Sequence, residues 1–144
     1  MQSPDDRTSR AERTCRRDIT ELEGLLRFVD AFVADVDVGD EAAMAARLAV
    51  EELFTNAVKY GKDGENRVDV RLLREPRRLT IVVTEFGVGP FDPDELEPVD
   101  VNKPLEERQP GGLGIHIVRN LFDEVTWEHG DDGLRITAVK HLER

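Results

Sequence analysis

Glu52 and Asn56 lie four residues apart in the stretch Glu51-Glu52-Leu53-Phe54-Thr55-Asn56-Ala57-Val58-Lys59-Tyr60, a spacing that stacks their side chains on one helix face. The stretch reads as helix because it continues an alanine-rich run from Glu41, with no Pro or Gly before Gly61. Ala46, Ala49, Val50, Leu53, Ala57 and Tyr60 fall on one apolar stripe. Glu52 and Asn56 border that stripe with Lys59 beside them, while Glu51 turns towards solvent. A carboxylate and an amide held at the border of a core are placed to serve a cleft. Taken alone, the pattern fits an ordinary amphipathic helix with a polar edge better than a site. Two glycine-bearing stretches downstream change the balance. Glu85-Phe86-Gly87-Val88-Gly89 follows directly from an alternating run, and Gly112-Leu113-Gly114 opens a helix. Each by itself fits a plain turn; their order and their positions on elements are more specific than any one of them.

The elements that must position these residues can be read in chain order. Residues 1–17 are polar, with five arginines among acids, and the last few could pair as an edge strand. Asp18 and Thr20 each precede a Glu by three residues, so either could open a helix with a capping box. Leu22, Leu25, Leu26, Val29, Phe32 and Val33 then recur at helical spacing to about Asp35. A turn carrying Gly39 leads into the long helix. Beyond Gly64 the period becomes two: Val68, Val70 and Leu72, then Leu79, Ile81 and Val83, joined at Glu75-Pro76-Arg77, predict an antiparallel hairpin. Residues 86–112 hold five prolines and many acids without a period, which marks a functional or disordered loop. Ile115, Val118, Leu121 and Phe122 predict a short helix. Val125 with Trp127, and Leu134 with Ile136 and Ala138, predict a second hairpin with Asp132-Gly133 in its turn. Helices with adjacent antiparallel strands point to an α+β chain folded as a two-layer α/β sandwich, its sheet mixed but mostly antiparallel and its helices on one face. Residues 18–144 are read as one domain.

Composition agrees with a solvated globular chain. Of 144 residues, 39% are hydrophobic and 35% charged, enough for a real core. No apolar run approaches a bilayer span and no signal-peptide pattern opens the chain, so the expected location is cytoplasmic. A net charge of −11 argues against a nucleic-acid backbone as the main ligand but not against a nucleotide, whose phosphates need only local donors. The single Cys15 reads as a spectator thiol, His116 as an exposed helix-face residue and Trp127 as core. His129 and His141 lack metal-ligand spacing.

The three motifs together resemble the GHKL superfamily of ATPases, the Bergerat fold, and within it the small anti-sigma-factor serine/threonine kinases. Ala49 to Ala57 looks like the family's N box, Glu85 to Gly89 with Pro90-Phe91-Asp92-Pro93 like its first glycine box, and Leu105 to Ile115 like the ATP lid leading into its second. The resemblance covers roughly residues 18–142. It implies Glu52 as the base that accepts a proton from an attacking hydroxyl. It implies Asn56 as the Mg²⁺ ligand, and Gly112, Leu113 and Gly114 as the backbone that meets the ATP phosphates. Gly87 and Gly89 would pass close to base and ribose, and Arg108 and Lys59 would offset phosphate charge. It implies a STAS-domain anti-anti-sigma protein as phosphate acceptor, a sigma factor as the sequestered partner and a homodimer, with no nucleic acid or membrane bound directly.

One departure stands out. The family's first glycine box opens with Asp, which accepts from the adenine amino group; here Glu85 is one methylene longer, and a residue is inserted before Phe91. The kinase reading therefore has an alternative, a nucleotide-binding partner-switch module with weak or no catalysis. Retention of both Glu52 and Asn56 favours the kinase.

Overall fold

The computed structural model describes residues 8–60, 64–88 and 112–142. The expected lid, Gly89 and Arg108 lie outside them. Strand β1 (Ser9–Cys15) leads through a single 3₁₀ turn (Ile19–Glu21) into α1 (Leu22–Val36) and α2 (Asp40–Tyr60). Then come β2 (Val68–Glu75), β3 (Arg78–Phe86), α3 (Gly112–Leu121), β4 (Glu124–Gly130) and β5 (Gly133–His141). The strands form one sheet in the order β1-β2-β3-β5-β4, and every pairing in it is antiparallel. The result is the two-layer α+β sandwich that the alternating runs predict.

Local chemistry explains the entry into the helices. The Asp18 carboxylate accepts from the Thr20 backbone N–H at 2.9 Å and from its hydroxyl at 2.8 Å, which holds the Asp18 carboxyl below its ordinary range. Glu21 reaches back to the Arg16 N–H at 3.0 Å. Of the two candidate caps, Asp18 is used, but for the 3₁₀ turn and without the expected capping box; α1 itself starts after Glu21 with no side-chain cap. α1 then buries Leu25, Val29, Phe32 and Val33. α2, which packs against α1, buries the small Ala42, Ala45, Ala46 and Ala49.

The inner face of the sheet carries Val68, Val70 and Leu72 of β2, Leu79, Ile81 and Val83 of β3, and Leu134, Ile136 and Ala138 of β5, all buried. Period-two alternation turns the intervening residues to the other face, where exposed pairs such as Arg67–Asp69 at 2.9 Å and Arg71–Glu12 at 3.3 Å are solvated and contribute little. α2 packs against α1, α3, β2 and β3. Contact on several sides explains why Phe54, off the predicted stripe, is fully buried. Two other details differ from expectation. The β4–β5 turn is Asp131-Asp132, with Gly133 as the first residue of β5. Trp127 is half-buried at the core margin, with the Arg119 guanidinium 5.1 Å from its ring. No helix among the described residues is long and apolar enough to cross a membrane.

Candidate functional site

α2 presents Glu52 and Asn56 on one face, both half-buried, with Lys59 exposed in the last turn. Glu51, expected in solvent, is half-buried as well; α2 is covered on too many sides for its polar edge to be sharp. The Thr55 hydroxyl donates back to the Glu52 carbonyl at 3.2 Å. One polar group on this face is orphaned: the Asn56 side-chain nitrogen is buried without a hydrogen-bond partner. A buried amide left unpaired costs about 1–3 kcal/mol, and an amide can turn either its NH₂ or its oxygen to such a position. An oxygen there suits a hard cation. Among the described residues no three His, Cys, Asp or Glu side chains gather into a protein-only metal centre. A single amide ligand fits Mg²⁺, which keeps several waters and is held largely by substrate phosphates.

β3 supplies the second part. Glu85 continues the inward register of Leu79, Ile81 and Val83 and is 7% exposed. Its neighbours across the sheet are Val68 and Leu134, both buried and apolar. Burial pushes the Glu85 carboxyl above its ordinary range, and the guanidinium of Arg17 only partly offsets this. Arg17 Nη1 lies 3.5 Å from Glu85 Oε1, with the two side chains 5% and 9% exposed. Gly87 follows at φ +74°, where a Cβ would stand 2.7 Å from the Glu65 backbone nitrogen. A side chain there would force apart the segments that converge at the end of β3.

The third part is α3, which packs against α2. Gly112, Leu113 and Gly114 form the backbone of its first turn, where unpaired N–H groups collect partial positive charge. The shallow depressions around Arg67, Asp69, Arg71, Thr84 and Arg135 lie on the opposite face of the sheet from Glu85 and have no part in this arrangement.

Residues 15–140 match the model of the histidine kinase-like ATPase domain. The chain belongs to that family. Its similar proteins include a serine-protein kinase RsbW of Bacillus pumilus, 36% identical over 106 residues that make up 68% of this chain and 64% of the relative. The RsbW of Bacillus cereus is 30% identical over 103 residues, 68% of this chain and 63% of the relative. The matched part thus spans under two thirds of the curated relatives' length. Among solved structures, the RsbU and RsbW domains of a Mycobacterium tuberculosis protein superpose with a TM-score of 0.69 at 15% identity, over 94% of this chain and 33% of that one. The fold of this ATPase domain is therefore of the RsbW type.

Within the family framework, the described residues bring Glu52 and Asn56 together on α2, with Glu85 and Gly87 at the end of β3 beside the same helix. Arg17 is the residue that sequence reasoning missed. Residues 1–17 read as a loose terminus, yet Arg17 is almost fully enclosed. A signal was present: Glu85 occupies an apolar register position, and a carboxylate there calls for a buried cation.

Proposed function

We propose that this ATPase-family chain is an ATP- and Mg²⁺-dependent serine/threonine protein kinase acting as a cytoplasmic anti-sigma factor. It phosphorylates a STAS-domain anti-anti-sigma antagonist and, as a homodimer, sequesters a sigma factor while that antagonist is phosphorylated. The observation that carries this reading is the pairing on α2 of the Glu52 carboxylate with the orphaned Asn56 amide, one helical turn apart. A protein that bound a partner without nucleotide would have no need of that carboxylate–amide pair.

Each group has a role in phosphoryl transfer. Glu52 takes the proton from the acceptor Ser or Thr hydroxyl as that oxygen forms its bond to the γ-phosphorus. The bond from the γ-phosphorus to the β,γ-bridging oxygen breaks, and ADP carries away that electron pair. Asn56 would hold Mg²⁺, which when bound neutralises phosphate charge. The first-turn N–H groups of α3, at Gly112, Leu113 and Gly114, with Arg108 and Lys59, would cradle the phosphates. Gly87 and Gly89 would admit the base and ribose, and Glu85 would accept from the base.

The test is transfer of labelled γ-phosphate to a cognate STAS protein. Glu52→Gln keeps shape but removes the proton acceptor, so transfer falls by about 10²–10⁴-fold while nucleotide binding changes little. Asn56→Ala lowers binding and transfer together, and Glu51→Gln, the neighbouring carboxylate, stays near wild type. Wild-type transfer by Glu52→Gln would remove Glu52 from the mechanism. The buried Glu85–Arg17 pair gives specific weight to a second reading, a nucleotide-dependent binding module without catalysis. Tight partner binding with no transfer by the wild-type chain would establish it.

A further inference from the structure

We propose that Arg17 sets base recognition in this chain, as the buried counter-ion that fixes the Glu85 carboxylate at the base end of the nucleotide site. The inference rests on the nucleotide-binding reading above and names a residue outside all three sequence motifs. Arg17 reaches Glu85 across 68 positions of sequence. Its Nε donates to the Glu65 carbonyl at 3.0 Å, Nη1 to the Ala57 carbonyl at 2.8 Å and Nη2 to the Phe86 carbonyl at 3.2 Å. Its backbone N–H donates to the Asn66 side-chain oxygen at 2.7 Å. A planar guanidinium tied to three carbonyls cannot swing away without giving up three hydrogen bonds at once. It therefore locks the end of α2, the 65–66 segment and the end of β3 around one carboxylate.

Among the described residues, the surroundings offer Glu85 no other charged partner. Val68 of β2 and Leu134 of β5 flank it in the sheet, and α2 contributes Ala57. Glu65 lies beside Gly87, and Lys59 is exposed. Among the described residues, Arg17 is the charged group that touches Glu85. A carboxylate with one methylene more than Asp has an extra rotatable bond, and without a fixed cation it would reorient or take up a proton. Ionised, it accepts from an exocyclic amino group, as on adenine, and repels the guanine O6. Protonated, it gains an O–H that can donate to O6, so the distinction between the bases weakens. Arg17 acts through Glu85; it is a positioning residue.

The experiment titrates Mg²⁺-ATP and Mg²⁺-GTP into the full chain from pH 5 to 9. The wild type is expected to prefer ATP by tenfold or more at pH 7. In Arg17→Gln that ratio falls at least fivefold at pH 7 and recovers as pH rises, because the unpaired carboxyl ionises later. In a Glu85→Gln background, Arg17→Gln leaves the ratio unchanged. If Arg17→Gln does not fold, Arg17→Lys carries the test: it keeps the charge but not the fork, and the ratio falls at least twofold. A wild-type ratio at every pH in the folded Arg17 variant overturns the inference while leaving nucleotide binding intact. Failure of the wild-type chain to bind either nucleotide at millimolar concentration overturns the nucleotide reading itself, and the inference with it.

Discussion

Replacing Gly133 with Ala should disturb the proposed base end of the site from behind. Gly133 opens β5 at φ +142°, pairs with Phe86 of β3 and Gly130 of β4, and backs directly onto the chain that carries Glu85. A Cβ at Gly133 would stand 2.2 Å from the Glu85 carbonyl oxygen, 2.9 Å from the Gly87 nitrogen and 3.0 Å from the Phe86 Cα. All three are backbone atoms, so no side chain can rotate out of the way. To bring the worst contact to the 3.0 Å below which real Cβ contacts essentially do not occur, β3 and β5 must part by most of an ångström. The Gly87 N–H bond to the Asp132 carbonyl at 2.9 Å lies in the path of that movement. Overpacking of this kind costs about 1–3 kcal/mol, and the backbone conformation, which L residues rarely adopt, adds about 1–3 kcal/mol. A loss of about 2–6 kcal/mol is a large part of the roughly 5–15 kcal/mol that holds a domain together. Urea unfolding reads it as a midpoint lowered by about 1–3 M at a slope of about 2 kcal/mol/M. Gly130→Ala in the same hairpin is the control: nothing lies within 4 Å of its Cβ, and it should stay within about 0.5 kcal/mol of wild type. ATP titration of folded Gly133→Ala should also show weakened binding. A Gly133→Ala protein as stable as Gly130→Ala would refute the close approach.

Two further outcomes are expected. Phe54→Ala, at a side chain with no exposure at the centre of the helix layer, should cost about 3–5 kcal/mol in urea unfolding; a loss under about 1 kcal/mol would mean that α2 is not covered on the sides described. Glu85 should leave its mark on pH dependence: burial, partly offset by Arg17, holds its carboxyl above the ordinary range, so the folded chain binds that proton more tightly than the unfolded chain. The stabilising contribution is complete below the ordinary carboxyl range and is lost as pH rises through the folded-state value. Urea midpoints of the wild type minus those of Glu85→Gln should therefore decline from about pH 4 upwards, and a rise with pH would contradict the burial of that carboxylate.

What could be read from the sequence and what could not divide along a physical line. The two hairpins were legible because each strand writes its own period: Val68, Val70 and Leu72 face inwards whatever their partner is. The α2 face with Glu52 and Asn56 was legible for the same reason, since a four-residue spacing stacks side chains on any helix. Phe54 was not, because α2 is covered by α1, α3 and the sheet on several sides, which no single helix can announce. Gly133 read as a turn glycine because its constraint is the backbone of β3, an element ending 47 positions earlier in the sequence. Glu85 stands on the line itself. Its register with Leu79, Ile81 and Val83 already turned a carboxylate into the core, and an ionisable group in such a place either finds a cation or gives up its charge. The register thus carried the demand for a partner, while the identity of that partner, Arg17, lay in tertiary contacts alone. Glu85 carries one methylene more than an Asp would, and an arginine held by three carbonyls limits where its carboxylate can go. Glu85 and Arg17 form one buried ion pair, and substitutions at either position should be interpreted as a pair.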